Sequence, residues 1–323
     1  MSSHALVIAH RARPARSRSP RIAVTAVFVA HGLLFASWTA HIPHVMRHLG
    51  LSDGTLGLAL LGAPAGSVAA MLLASYLIPR LGSRRMVQVA LVGYCATGPL
   101  VGLTGSLAAL FGALFIWGAF QGTLDVAMNT QAIAVERAGR SVLMSGLHGS
   151  WSIGSFAGAG IGALAVGAGL GLTPQLLILG TIALLGAGLL TSRMLPDATG
   201  RPGAERPRTG TRSASRWSGG MILLGAIAFA GMLCEGASAD WASVYLSGPL
   251  HATGVVPGLG YAAFALAMVT VRLSGNRLLD RLRMRAAPHR SPCVTRLPAP
   301  GTRPAALPDR VRGRRHPGVP CLA

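Results

Sequence analysis

Gln121, Asp125 and Asn129 stand four residues apart in QGTLDVAMNTQ, directly after SLAALFGALFIWGAF, a stretch without a charge. On a helix this spacing brings the three side chains within about 80° of one face. Gly118 and Gly122 lie near that face and favour close helix approach or a cavity. A carboxylate at membrane depth costs roughly 2.5–3.5 kcal/mol on the milder insertion scale, so it should face a bundle interior or water. Burial favours the protonated form of a carboxylic acid, and a proton exchangeable there is what a proton-coupled carrier needs. The plain alternative is a polar group that bonds a neighbouring helix and only holds the bundle together. Gln121 and Asn129 fit either role. Asp125 is costlier than an amide in the same structural place, which favours function.

Other ionisable and aromatic residues fall at similar depth. Counted at 1.5 Å per residue from the arginine-bearing ends of their apolar runs, His31 and Asp125 lie about 14–15 Å in and His148 about 10 Å in. A His–Asp pairing across three helices would relay a proton or bind a solute hydroxyl; a histidine bonded to a backbone carbonyl is the ordinary alternative. Glu235 in CEGASADWASVY lies about 24 Å in and is a candidate by the same reasoning. Asp240 lies nearer the far surface, where a cap or solvation accounts for it, and Trp241 and Tyr245 fit an aromatic belt. Trp38 and Trp151 are candidates to pack on a sugar ring in a polar cavity. His41 and His44 (HIPH) sit at the outer boundary and do not make a metal site without further ligands. Ser145 and His148 are one turn apart in MSGLHGS, but no oxyanion glycine pattern surrounds them, and no enzyme is expected.

The elements that must position these residues are apolar helices. Of 323 residues 51% are hydrophobic, 12% are charged and 43 are glycine, a balance of multi-pass membrane proteins. The net charge of +20 comes from arginine alone, lying between apolar runs rather than on one face, so topology and not nucleic acid is its cause. The four cysteines (Cys95, Cys234, Cys293, Cys321) have no metal or redox spacing, and no cofactor is indicated. Runs of about 20 apolar residues are read at about 22–44, 55–78, 86–105, 107–134, 142–168, 174–195, 219–246 and 256–279, eight spans in all. Arginines cluster before the first span and in every second connection: Arg11 to Arg21, then Arg80, Arg84 and Arg85, then Arg137 and Arg140, then Arg201 to Arg216. The other connections hold only Arg47. By the positive-inside rule both termini are cytoplasmic.

The expected organisation is therefore a basic N-terminus (1–21), a six-helix bundle (22–195) and a Pro/Gly/Arg/Ser-rich linker (196–218). Two helices of a second bundle (219–282) and an Arg/Pro-rich tail (283–323) come next, the tail reading as disorder. SYLIPRLGSRR after the second span recurs as NRLLDRLRMRA after the eighth, as in transporters built of parallel repeats. The loop matches Gly-x-x-x-Asp-Arg-x-Gly-Arg-Arg at Arg80, Gly82, Arg84 and Arg85, with Ser75 for the first glycine and Pro79 for the aspartate. Gly275, Asp280 and Arg281 carry the repeated form.

On these residues the chain resembles the major facilitator superfamily. AHIPHVMRHLGLSDGTLGLALLG, LDVAMNTQAIAVERAGRSVLMSGLHGSWSIG and EGASADWASVYL are similar to its YbjJ-type branch, near the fucose permeases. The resemblance implies an all-α membrane bundle moving a small polar, sugar-like solute with protons, in the plasma membrane. A drug or metabolite exporter is the alternative within the family. Fucose permease has an acid in the matching helix followed four residues later by asparagine, the places of Asp125 and Asn129. It also has an acid on its first helix, where this chain offers only His31, His41 and His44. The likeness is read as stopping near 282, four helices of the family then being absent, by a frameshift or in favour of a lipid-binding basic tail. A chain so shortened would not complete alternating access, and a non-transporting fragment is then expected.

Overall fold

The computed structural model describes residues 18–139, 142–196 and 219–286. The N-terminal arginines up to Arg16, Arg140, nearly all of the linker and the tail beyond Ala286 lie outside the described residues. The chain divides between Leu279 and Asp280 into two units, of which the first contains the helical bundle. Of the second, only 280–286, the end of the last helix, is described.

The described residues are helical throughout, as the composition requires. The helices are α1 (Arg18–Thr39), α2 (Ile42–His48), α3 (Asp53–Leu60), α4 (Gly62–Leu81), α5 (Ser83–Thr97), α6 (Leu107–Gly139), α7 (Met144–Gly167), α8 (Leu172–Ala183), α9 (Gly219–Ser247) and α10 (Val256–Ala286). Helices α3 and α4 together make one apolar stretch, and short 3-10 or π segments extend α5 and α8. Among the described residues seven stretches are long and apolar enough to cross a bilayer, the first Ser19–Thr39 and the last Gly219–Ser247. One expectation changes here. The first span ends at Thr39, because the chain turns and HIPH opens the separate helix α2 with Pro43 in its first turn. The eighth run lies within α10 (Val256–Ala286), whose described apolar part, Val256–Arg272, carries Arg272 at its end.

Many large apolar side chains face outward, and small residues let pairs of helices approach closely, as expected where lipid is the solvent. Leu72, Leu224, Phe229 and Met232 are 68–74% exposed. Gly154, Gly158 and Gly162 on α7 lie against the backbone carbonyls of Val29, Leu33 and Ser37 on α1. Gly118 and Gly122 on α6 meet Ala63 and Ser67 on α4 in the same way, as their spacing foretold. A methyl at any of these positions would collide with main chain, which cannot yield as a flexible side chain does. These contacts make α1–α7 and α4–α6 the two closest pairs.

The arginine-bearing end is tied by polar links. Gly82, at φ +86°, turns the chain from α4 into α5, a conformation that favours glycine. Arg80 lies over the Tyr76 ring at 3.4 Å. Gln131 Nε2 donates to Ser83 Oγ (2.9 Å) and to the Leu195 carbonyl (3.0 Å). Glu136 Oε2 accepts from the backbone N–H groups of Leu143 (2.9 Å) and Met144 (3.1 Å), satisfying donors at the start of α7.

Candidate functional site

A cavity of about 420 Å³ opens among α1, α4, α6, α7, α9 and α10. Its walls carry His31, Gln121, Asp125, His148, Trp151 and Glu235, residues that the sequence singled out, and also Arg272.

Each wall has a local cause. The glycine contacts between α4 and α6 bring Ser67 and Gly122 together at the cavity wall beside Asp125. Asn129, one turn further along α6, does not line it. Its Nδ2 donates to the Asp125 carbonyl (2.8 Å) and to Asp125 Oδ1 (3.2 Å), so it holds the carboxylate in place. On α1, His31 is 4% exposed and its Nδ1 accepts a 2.7 Å hydrogen bond from Trp151 Nε1. Asp125 lines the same cavity as this ring. His148 donates Nδ1–H to the Met144 carbonyl (3.1 Å) and stands edge-on to Phe28, so the bland alternative accounts for that nitrogen.

Glu235 is half-buried and faces a charge that sequence reasoning missed. Arg272 Nη2 meets Glu235 Oε2 at 3.3 Å, Nη1 donates to Ser152 Oγ at 2.5 Å, and the guanidinium lies 5.6 Å above the Trp151 ring. One cation thus joins α7, α9 and α10. The signal was present in sequence: an arginine inside one apolar run and a glutamate inside another stabilise each other's burial. Reading 256–279 as a continuous span concealed it.

Trp38 is corrected. It is 3% exposed and packs edge-on to Trp117 at 6.3 Å, outside the cavity walls. It starts an aromatic column that continues through Trp117, Tyr94 and His31 to Trp151. Trp151 lies in the cavity wall but also stacks on Phe35 at 6.1 Å. Trp241, expected in an outer belt, is partly buried against the core, while Tyr245 is exposed. Arg80, Gly82, Arg84 and Arg85 lie at the α4–α5 turn, away from the cavity. Gly275, Asp280 and Arg281 fall on the backbone of α10, and their side chains lie outside the described residues.

At the opposite end, His41 Nε2 donates to Gln175 Oε1 at 2.8 Å, and Gln175 Nε2 donates to the Ser37 carbonyl at 2.9 Å. Burial lowers the pKa of His41 against the raising effect of the Gln175 bond. His44 is lowered by burial and then by the charge of Arg47. Among the described residues no three His, Cys, Asp or Glu side chains gather as metal ligands would.

Apolar helices joined by arginine-bearing turns thus enclose a polar cavity. The Major Facilitator Superfamily model matches residues 23–291. The chain belongs to that superfamily. The match runs past 282, the expected end of the resemblance. An uncharacterised MFS-type transporter of Yersinia pestis is 34% identical over 265 residues, covering 82% of this chain and 67% of the relative. Membrane protein MosC of Rhizobium meliloti is 34% identical over 271 residues, covering 82% and 64%. Among solved structures the nucleoside transporter NupG aligns at TM-score 0.56 with 11% identity, over 82% of this chain and 67% of that one, a likeness of fold. The chain spans about two thirds of the length of these relatives.

Proposed function

We propose that this superfamily member is a proton-coupled carrier of a small neutral polar solute, with Asp125 as the proton-exchanging group. The observation that carries the reading is one cavity lined by Asp125 and Gln121 of α6 and His31 of α1 together with Glu235 of α9 and Arg272 of α10. A solute held there would touch both sides that alternating access must move. Glu235 is paired with Arg272, whereas Asp125 forms no salt bridge among the described residues. In this reading the end bearing Arg80 and Arg85 faces the cytoplasm, following the positive-inside rule, and the membrane is the plasma membrane. Sugars and nucleosides are the first solutes to try, the latter because the NupG structure is titled a nucleoside transporter.

The test is uptake of labelled D-glucose and uridine into proteoliposomes with an inward proton gradient. Gradient-driven accumulation that a protonophore collapses is expected. Accumulation indifferent to the protonophore contradicts proton coupling, and efflux from preloaded vesicles alone reverses the direction toward an exporter. A second reading, binding without transport, is favoured by one observation: α9 from Met221 to Leu233 is exposed on all sides. Binding of either probe with no flux in these 323 residues would support it.

A further inference from the structure

The 2.7 Å bond between Trp151 and His31 fixes more than a distance. An indole nitrogen donates and never accepts, so Nδ1 of His31 must present a lone pair. A neutral imidazole has one such nitrogen, and its ring proton then sits on Nε2. That Nε2 is buried and has no hydrogen-bond partner. The main chain of Gln121 approaches the ring, yet no acceptor closes a bond to Nε2. A buried donor left unmet is unfavourable until an acceptor arrives. His31 lines the cavity that holds Asp125, and because Nε2 itself is closed off from that cavity, an acceptor reaches it only after a neighbouring side chain shifts.

Neighbours resist any easy release of this arrangement. Tyr94 stacks on the imidazole at 5.5 Å. Trp151 is flanked by Phe35 at 6.1 Å and by the Arg272 guanidinium at 5.6 Å. An imidazolium carries N–H at both nitrogens, so protonating His31 would set two donors against each other across the Trp151 bond. The charged and titratable groups around the ring are Asp125 on α6, Tyr94 on α5, His148 on α7, Glu235 on α9 and Arg272 on α10.

We propose that Trp151 locks His31 as a neutral donor whose Nε2–H recognises an oxygen acceptor of the solute, leaving the proton exchange to Asp125 alone. This rests on the carrier reading above and replaces a His–Asp proton relay with divided labour. The solute class is thereby narrowed to a neutral molecule that offers a hydroxyl or carbonyl oxygen to His31 and a hydroxyl or N–H to Asp125. Trp151 is then a positioning residue, holding His31 in one tautomer.

Nitrogen-15 NMR of the full chain, labelled at histidine and reconstituted in nanodiscs, reads the tautomer directly. His31 is assigned by the signals lost in His31→Gln, or in His31→Asn if glutamine is not tolerated. Nδ1 is expected in the unprotonated, hydrogen-bonded class and Nε2 in the N–H class. In Trp151→Phe the hydrogen-bond shift of Nδ1 disappears. D-glucose or uridine at saturation moves the Nε2–H resonance and leaves Nδ1 an acceptor. A protonated Nδ1 in the free protein overturns the proposal. So does a probe that binds, by its own saturation-transfer signal, without moving Nε2. Failure of both probes to bind overturns the solute class. The ring is read without transport, so absent flux would count against the carrier reading while a wrong tautomer counts against this one.

Discussion

Arg272 and Glu235 form an ion pair without net charge in the cavity wall, so removing either leaves the other without its partner. Loss of one partner of a fully buried pair costs about 3–5 kcal/mol, and partial exposure here reduces the figure. Arg272→Gln and Glu235→Gln should each lower the melting temperature in detergent, and the double variant should recover part of the loss. Strictly additive losses would contradict the pairing. His41 predicts a pH dependence at the other end of the bundle. Its folded pKa lies below the ordinary 6.5, so the unfolded chain takes up the proton first as pH falls. The stability from neutral, Gln175-bonded His41 is present above about pH 6.5 and is lost from there toward the lowered folded value. His44 adds in the same direction. Melting temperature should therefore fall between pH 7.5 and 5.5, and His41→Asn should flatten part of that slope. A slope untouched by the substitution would remove His41 from the account.

Helix α7 shows how small residues position the larger ones that do chemistry. Gly158 lies on the Leu33 carbonyl, whereas Gly160, two residues on, has open space where a side chain would go. Gly158→Leu should separate α1 from α7, with them His31 from Trp151, at a cost above the usual 1–3 kcal/mol of overpacking because main chain must move. Gly160→Leu should leave the chain as monodisperse and heat-stable as before. Equal behaviour of the two variants on size exclusion would refute the close approach. At this scale the sequence was legible where periodicity speaks. The interfaces at Gly118 and Gly122 and the face shared by Gln121 and Asp125 follow from spacing by four. The α7 glycines carry the same signal, hidden among 43 glycines. Trp38 was not legible, because an aromatic side chain at helical spacing suits a core or a cavity equally, and only its edge-on contact with Trp117 decides. Arg272 was hidden by averaging: one charge in a long apolar run barely changes the mean.

Across the whole molecule, the arginine count gives the proposed orientation, and the family was legible in the α4–α5 loop motif together with the longer stretches of similar sequence. Membership does not depend on the cavity, and the cavity's chemistry does not follow from membership. The orientation has its own check. Alkaline phosphatase fused after His48 should be active, and fused after Arg85 inactive, with the opposite pattern contradicting cytoplasmic arginine turns. The central claim is that one cavity couples a neutral solute to a proton through Asp125. The most direct measurement is the internal pH of proteoliposomes carrying a trapped pH dye when D-glucose or uridine is added outside. The account predicts acidification with the wild-type chain and none with Asp125→Asn, although the variant still binds the probe. Acidification that persists in Asp125→Asn, or its absence from both proteins, would contradict it.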